Sequence, residues 1–312
     1  MIGMNIINEK QNEDGILLYL FAQRKLYDWV KVINHFLFWI GIGIYVFGLV
    51  PIIKNKYDNY VSLSSIVWLI VSLFINNSGS SLRTKAANYQ EYVDRTLFRF
   101  PINSDVINTL NSMRRYAIDI KIKHEKEFNV KITPGTKRSV YNWYSDVTGL
   151  PHEIARIFCQ NENCHWESKL RKDYNRILVA LLIVACGIYI YVISINYSTD
   201  GLFKIASAVP VIVEIGKLIS YNHSVIKTCE EIEDRMNTVY NYINENASTY
   251  DANYLDEESL EMQRRIFNYR RQSVPVPNFI YGILKNKYQN ESSKFIFLLK
   301  EEILEKLLTN KS

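Results

Sequence analysis

The sequence predicts an all-α membrane protein that crosses the bilayer as two helical hairpins, with helical cytoplasmic extensions forming a cytosolic bundle. Three observations lead there: long charge-free apolar runs, basic residues at their flanks, and apolar stripes that keep helical spacing beyond them. Over 312 residues the overall hydropathy is close to that of a soluble protein. The membrane part is therefore concentrated in a few segments.

The first span lies between Lys31 and Lys54, where no Asp, Glu, Lys or Arg occurs. At 1.5 Å per residue the run reaches roughly 33 Å, enough for a hydrocarbon core of about 30 Å. A second charge-free run, Asn59 to Leu82, has its apolar centre at Val61 to Ile75 and is shorter and more polar. The third, Ile177 to Ile195, is the clearest, bounded by Arg176 and Asp200. The fourth, Leu202 to Ile219, contains Lys204, Pro210, Glu214 and Lys217. Hydropathy alone leaves it ambiguous, and pairing with the third span decides for a crossing.

Basic residues near the span ends set the orientation. Arg24, Lys25 and Lys31 precede the first span, Arg83, Lys85, Arg95 and Arg99 follow the second, and Lys169, Arg171, Lys172 and Arg176 precede the third. Both termini and the central segment are then cytoplasmic, with Lys54 and Lys56 a mild exception. The expected organisation is an N-terminal cytoplasmic helix (1–32), a first transmembrane hairpin (33–77), a cytoplasmic helical region (78–176), a second hairpin (177–220) and a C-terminal cytoplasmic helical region (221–312).

Apolar stripes carry the helices out of the membrane. Val225, Cys229, Ile232, Met236, Val239 and Ile243 alternate in steps of four and three, as in a packed bundle. Leu82, Ala86, Tyr89 and Val93 continue the second span, Ile16, Leu20, Tyr27 and Val30 lead into the first, and Leu170 and Tyr174 into the third. Thr133-Pro134-Gly135 reads as a turn, Leu150-Pro151 as a break before a helix near His152, and 273–277 as extended. The tail from Phe295 to Leu308 reads as a terminal amphipathic helix.

Several function classes find no support. The net charge of +5 is spread along the chain, which argues against polymeric nucleic acid as a partner. The four cysteines are irregularly placed and imply no disulfide scaffold. No Walker loop, GxGxxG, HExxH, nucleophile elbow or paired CxxC is present, so no enzyme activity is expected. Cys159, Cys164 and His165, with His152 upstream, are the nearest approach to a metal set. Cys159 and Cys164 lie about 500° apart on one helix and do not share a face, so no metal is expected.

Charge inside a bilayer costs several kcal/mol unless paired or wetted. Lys204, Ser207, Glu214, Lys217 and Tyr221 fall near one face of the fourth span. Either Glu214 and Lys217 neutralise each other inside the bundle, or they face a water pathway, or they snorkel at the interface. Ser207, Pro210, Glu214 and Lys217 are the candidate pore or gate residues. Four spans are too few to enclose a wide aqueous path alone, so a homo-oligomer in the lipid bilayer is expected.

Four stretches together resemble the SMODS-associated four-transmembrane effector family. They are Gln11-Asn12, Leu17 and Ala22 to Tyr27 with Lys31; Lys85-Ala86-Ala87, Gln90-Glu91, Asp94 and Pro101; Trp143-Tyr144 through Pro151, Ala155 to Gln160, Asn163, Trp166-Glu167 and Leu170-Arg171; and Ile266, Arg270 and Val274 to Tyr281. The chain departs from the family pattern at Asn161, where a basic residue is common, and at Glu167, where Asp is common. The resemblance implies an antiphage (CBASS-type) effector whose membrane-disrupting or pore-forming activity is controlled by a cyclic oligonucleotide from a companion nucleotidyltransferase. That ligand is the only small-molecule partner expected; no cofactor is. Within such a protein, Arg24, Arg156, Arg171 and Arg270 are the candidates for phosphate contacts and Trp166 and Tyr269 for base stacking, with Gln23 and Gln160 as weaker candidates for base edges. The alternative is a membrane scaffold, channel or transporter without nucleotide control.

Overall fold

In the computed structural model, residues 6–49, 51–102, 104–136, 139–195, 201–247 and 249–309 are described. Asp200 lies outside them, as do the side chains of Lys54, Lys56 and Lys204. The described residues form helices and connecting turns with no strand. In order these are α1 (Ile7–Lys10), α2 (Asp14–Leu49), α3 (Pro51–Phe98), α4 (Ser104–Ile107), α5 (Leu110–Lys123), α6 (Glu125–Lys131), α7 (His152–Ile195), α8 (Gly201–Glu245), α9 (Ala252–Gln272) and α10 (Asn278–Thr309).

Local chemistry sets most boundaries. α3 opens on Pro51, whose missing N–H costs nothing in a first turn. α3 ends where Arg99 turns left-handed at φ 58. Pro151 precedes α7, and the Asp251 carboxylate caps α9 by accepting from the Asn253 N–H. Pro275 and Pro277 cannot donate backbone hydrogen bonds, so α9 stops and α10 starts afresh at Asn278.

Four helices are far longer than a bilayer requires. α2 has 36 residues, α3 48, α7 44 and α8 45, so the shortest already reaches about 54 Å. Burial inverts partway along them. In α3, Leu63, Ile66, Val67, Ile70, Leu73 and Phe74 are exposed while Ser62, Ser65 and Ser72 are buried; further on, Ala86, Ala87, Tyr89 and Val93 are buried. α7 repeats this in reverse, with Ile154, Ile157, Phe158 and Leu170 buried and Ile183, Val184, Ile190 and Tyr191 exposed. An apolar surface around small interior residues suits lipid; the opposite pattern suits water.

Three segments, Asp14–Leu49, Tyr60–Phe98 and His152–Val192, are long and apolar enough to cross a membrane. α8 packs against α2, α3 and α7. This shelters the stretch that bears Glu214 and Lys217. The approach to α2 is close, since a Cβ added at Gly48 would overlap the Ser207 hydroxyl. Pro210 and Val211 lie against Gly41.

Two apolar cores follow the same division. The larger joins α2 residues 16–26, α3 residues 86–98, α7 residues 154–164, α8 residues 225–243 and parts of α5, α9 and α10. The smaller lies toward the apolar ends of the helices and joins Tyr45, Leu170, Tyr174, Leu178, Val211 and Ile215 to Val276 and Ile280. The stripe Val225 to Ile243 is buried throughout.

Candidate functional site

Between the two cores a cavity of about 530 Å³ opens beside α2, α7, the end of α9 and the start of α10. Helical periodicity puts Gln23, Arg24, Tyr27 and Lys31 of α2 along one wall, and Glu162, Asn163, Trp166, Glu167 and Arg171 of α7 along the next. Tyr269 and Arg270 close the far side, and loop residues 134–136 and 139–143 cover one flank. Five of the six residues expected to meet a nucleotide, Arg24, Trp166, Arg171, Tyr269 and Arg270, line this single cavity together with Gln23.

Arg156 does not. It packs over the Phe100 ring, 4.7 Å from its centroid, donates to the Phe98 carbonyl and pairs with Asp256. Burial pulls its guanidinium down to about 10. Gln160 also lies away from the cavity, bonded to Ser259 and Gln263.

The lining is basic and aromatic. Arg24, Lys31, Arg171 and Arg270 face two carboxylates, Glu162 and Glu167. Arg171, 2% exposed, is fixed by Glu167 at 2.6 Å, Asn222 at 2.7 Å and the Val274 carbonyl at 3.1 Å. Arg270 donates to Asp94 at 2.5 Å. Trp166 meets Tyr281 edge-on at 5.2 Å, and the Lys31 ammonium stands 5.7 Å over the same tyrosine ring. Burial pushes the Tyr27 phenol up to about 12 and Tyr269 well above its ordinary value, so both stay neutral. Burial also raises the Glu162 carboxyl, against the bonds it accepts from the Ser145 hydroxyl and N–H.

Three lining groups among the described residues, Gln23 Oε1, Trp143 Nε1 and Ser292 Oγ, are buried without a hydrogen-bond partner. Each costs about 1–3 kcal/mol.

A buried polar network forms the cavity floor. Asp94 accepts from Arg270, from the Tyr144 hydroxyl at 2.6 Å and from Gln263 at 3.2 Å. Gln263 also donates to Glu91, which pairs with Arg95. The covering loop is clamped by amides of the first turns. Gln11 donates to the Tyr144 carbonyl and accepts from its N–H, Asn12 brackets Asn142, and Asn8 bridges Ser145 and Val147. The clamp also holds Asn142 in its left-handed conformation, φ 49.

In α8, Ser207 and Pro210 are buried, and the Lys217 ammonium donates to Glu214 at 2.9 Å. The two charges therefore pair with each other, with the Lys217 side chain 31% exposed. Cys159 and Cys164 sit in the apolar core, and His165 stacks on Phe295 at 5.3 Å. Among the described residues no group of three or more His, Cys, Asp or Glu is arranged to hold a metal.

Helices that invert their burial pattern, joined to a bundle with a basic cavity, define a membrane protein with an extramembrane helical body. The chain matches the SMODS-associating 4TM effector domain over residues 5–296 and belongs to that family. The family makes it a CBASS-associated membrane effector. No curated protein and no solved structure matches the chain.

Proposed function

We propose that the chain is an antiphage effector that permeabilises the bacterial inner membrane when a cyclic oligonucleotide occupies the cavity between α2, α7, α9 and α10. The observation that carries this reading is the convergence of Arg24, Arg171, Arg270, Trp166 and Tyr269, from three separate helices, on one cavity. Planar guanidinium groups suit phosphate and aromatic faces suit bases, and about 530 Å³ is within the range of ligand sites. Arg171 and Arg270 already have protein partners and supply field and shape. Arg24 and Lys31, the latter the last charged residue of α2 before the first span, complete the basic lining.

In this reading α8 is the fourth span, both termini and residues 83–176 are cytoplasmic, and several copies assemble around the lesion. Ligand in the cavity bears on α2 and α7, both of which continue into the bilayer as single helices. Proteoliposomes loaded with a fluorescent dye test the proposal. Dye should escape on addition of one member of a panel of cyclic di- and trinucleotides and not with linear analogues. No release with any member, from correctly oriented protein, overturns it. External labelling of a cysteine placed at Asn129 in intact cells would overturn the topology.

A further inference from the structure

We infer that the start of α10 is a membrane contact in its own right, with Phe279 and Ile283 lodged among acyl chains at the bilayer surface beside α2 and α7. The inference rests on α2 and α7 crossing the membrane and is independent of the ligand assigned to the cavity.

Register supplies the depth. α10 runs antiparallel to α7 through three pairs: the Tyr288 hydroxyl donating to Asp173, Lys169 with Glu291 at 3.0 Å, and His165 stacked on Phe295. Two turns further, this register sets Ile283 opposite Ile177 and Phe279 opposite Leu181, both within the apolar run of α7. α2 gives the same level from the other side. Lys31, the last charged residue before its apolar run, donates to Asn278 at 2.8 Å, and the His35 ring lies 6.5 Å from Phe279. Phe279 thus reaches about 6 Å past the start of the α7 span.

Exposure identifies the occupant. Phe279 is 64% exposed and Ile283 74%, matching the 73% of Phe74 in the second apolar run. The face then changes character, because Lys287, Asn290 and Lys294, which continue it at steps of four, three and four, are exposed and polar. An apolar face that turns polar where the neighbouring spans leave the bilayer is the pattern of an interfacial helix end. Ile280 and Tyr281, on the opposite side, pack into the smaller core, and Tyr281 lines the cavity. The lipid contact and the cavity wall therefore lie two residues apart on one helical turn.

Nitroxide labels at Phe279→Cys, Ile283→Cys and Phe297→Cys, in full-length protein with Cys186→Ala and reconstituted in liposomes, test the inference. The other three native cysteines are buried. Phe297 is the control, being 57% exposed and about 21 Å further along α10. Labels at 279 and 283 should collide with dissolved oxygen severalfold more than with a water-soluble nickel complex, and the label at 297 should do the reverse. Nickel-dominated collisions at 279 and 283 would overturn the inference. Low collision rates for both reagents with dipolar broadening would also overturn it, in favour of a second copy of the chain on that face.

Discussion

Replacing Arg270 by Gln removes a buried cation 2.5 Å from Asp94. Asp94 is fully buried and then keeps only the bonds donated by the Tyr144 hydroxyl and Gln263. Breaking a buried pair from one side costs about 3–5 kcal/mol, because the remaining charge is left in a poor solvent. That is a large share of the roughly 5–15 kcal/mol that holds a typical domain together. At about 2–4 °C per kcal/mol for a body of this size, melting in mild detergent, followed by tryptophan fluorescence, should fall by about 6–20 °C. Adding Asp94→Asn removes the stranded charge and should recover more than half of the loss. A fall below 2 °C for Arg270→Gln, or a double variant no better than the single one, would refute the reasoning that the pair supports the cavity floor.

The clamp on the covering loop should show in Gln11→Ala, which leaves both backbone groups of Tyr144 unpaired; a loss of about 2 kcal/mol and faster hydrogen exchange across 139–147 are expected. His152 is buried, and burial, opposed by the Phe98 backbone, lowers its imidazole below 6.5. The unfolded chain then binds the extra proton first, so stability should drop as pH falls below 6.5, and His152→Phe should flatten that part of the melting-temperature profile. Glu214→Gln and Lys217→Gln should each change dye leakage at normal expression, whereas wild-type leakage in the double substitution would leave the pair a packing device.

Much of the helical plan was readable in the sequence because a bilayer forbids charge over a fixed length and a water-facing bundle demands a periodic stripe. The run from Ile177 and the buried stripe from Val225 follow from those two rules, and the start of α7 at His152 follows from the break at Leu150-Pro151. α10 was not readable in full, since it begins at Asn278 rather than near Phe295. Its first half docks on α7 through Tyr288–Asp173 and Lys169–Glu291 and carries a short inward stripe, Ile280, Leu284 and Tyr288, but Phe279 and Ile283 are apolar on the outer side of the same turns, which blurs the periodicity. α5 and α9, outside the stripes read from the sequence, do carry helical stripes, Met113, Ala117 and Ile120 in one and Leu255, Met262, Ile266 and Tyr269 behind the Asp251 cap in the other.

The cavity was readable as a set of Arg and aromatic residues within the family-like strings, whereas Tyr27, Lys31, Trp143 and Tyr281 lie in the same strings without a sign that they share its wall. Tyr27 had been read as part of an apolar stripe and Lys31 as a span flank. Trp143 sits in a loop brought near by the amides of Asn8, Gln11 and Asn12, and Tyr281 arrives through a helix start fixed by two prolines. Long-range hydrogen bonds carry no local periodicity. Arg156 shows the converse, an Arg in a family-like string whose partner, Asp256, is a hundred residues away.

The most direct test of the central claim is an equilibrium titration of the full-length protein in lipid nanodiscs with cyclic di- and trinucleotides, repeated for Arg24→Ala and Trp166→Ala. Arg24 and Trp166 are themselves half-buried, and melting curves of both variants in the same nanodiscs separate binding from folding. One cyclic species should bind, and each variant should weaken it about 5- to 150-fold, which is what losing a phosphate contact or a stacked base worth about 1–3 kcal/mol corresponds to. Binding of no cyclic species, or unchanged affinity in both variants, would contradict the assignment of the cavity.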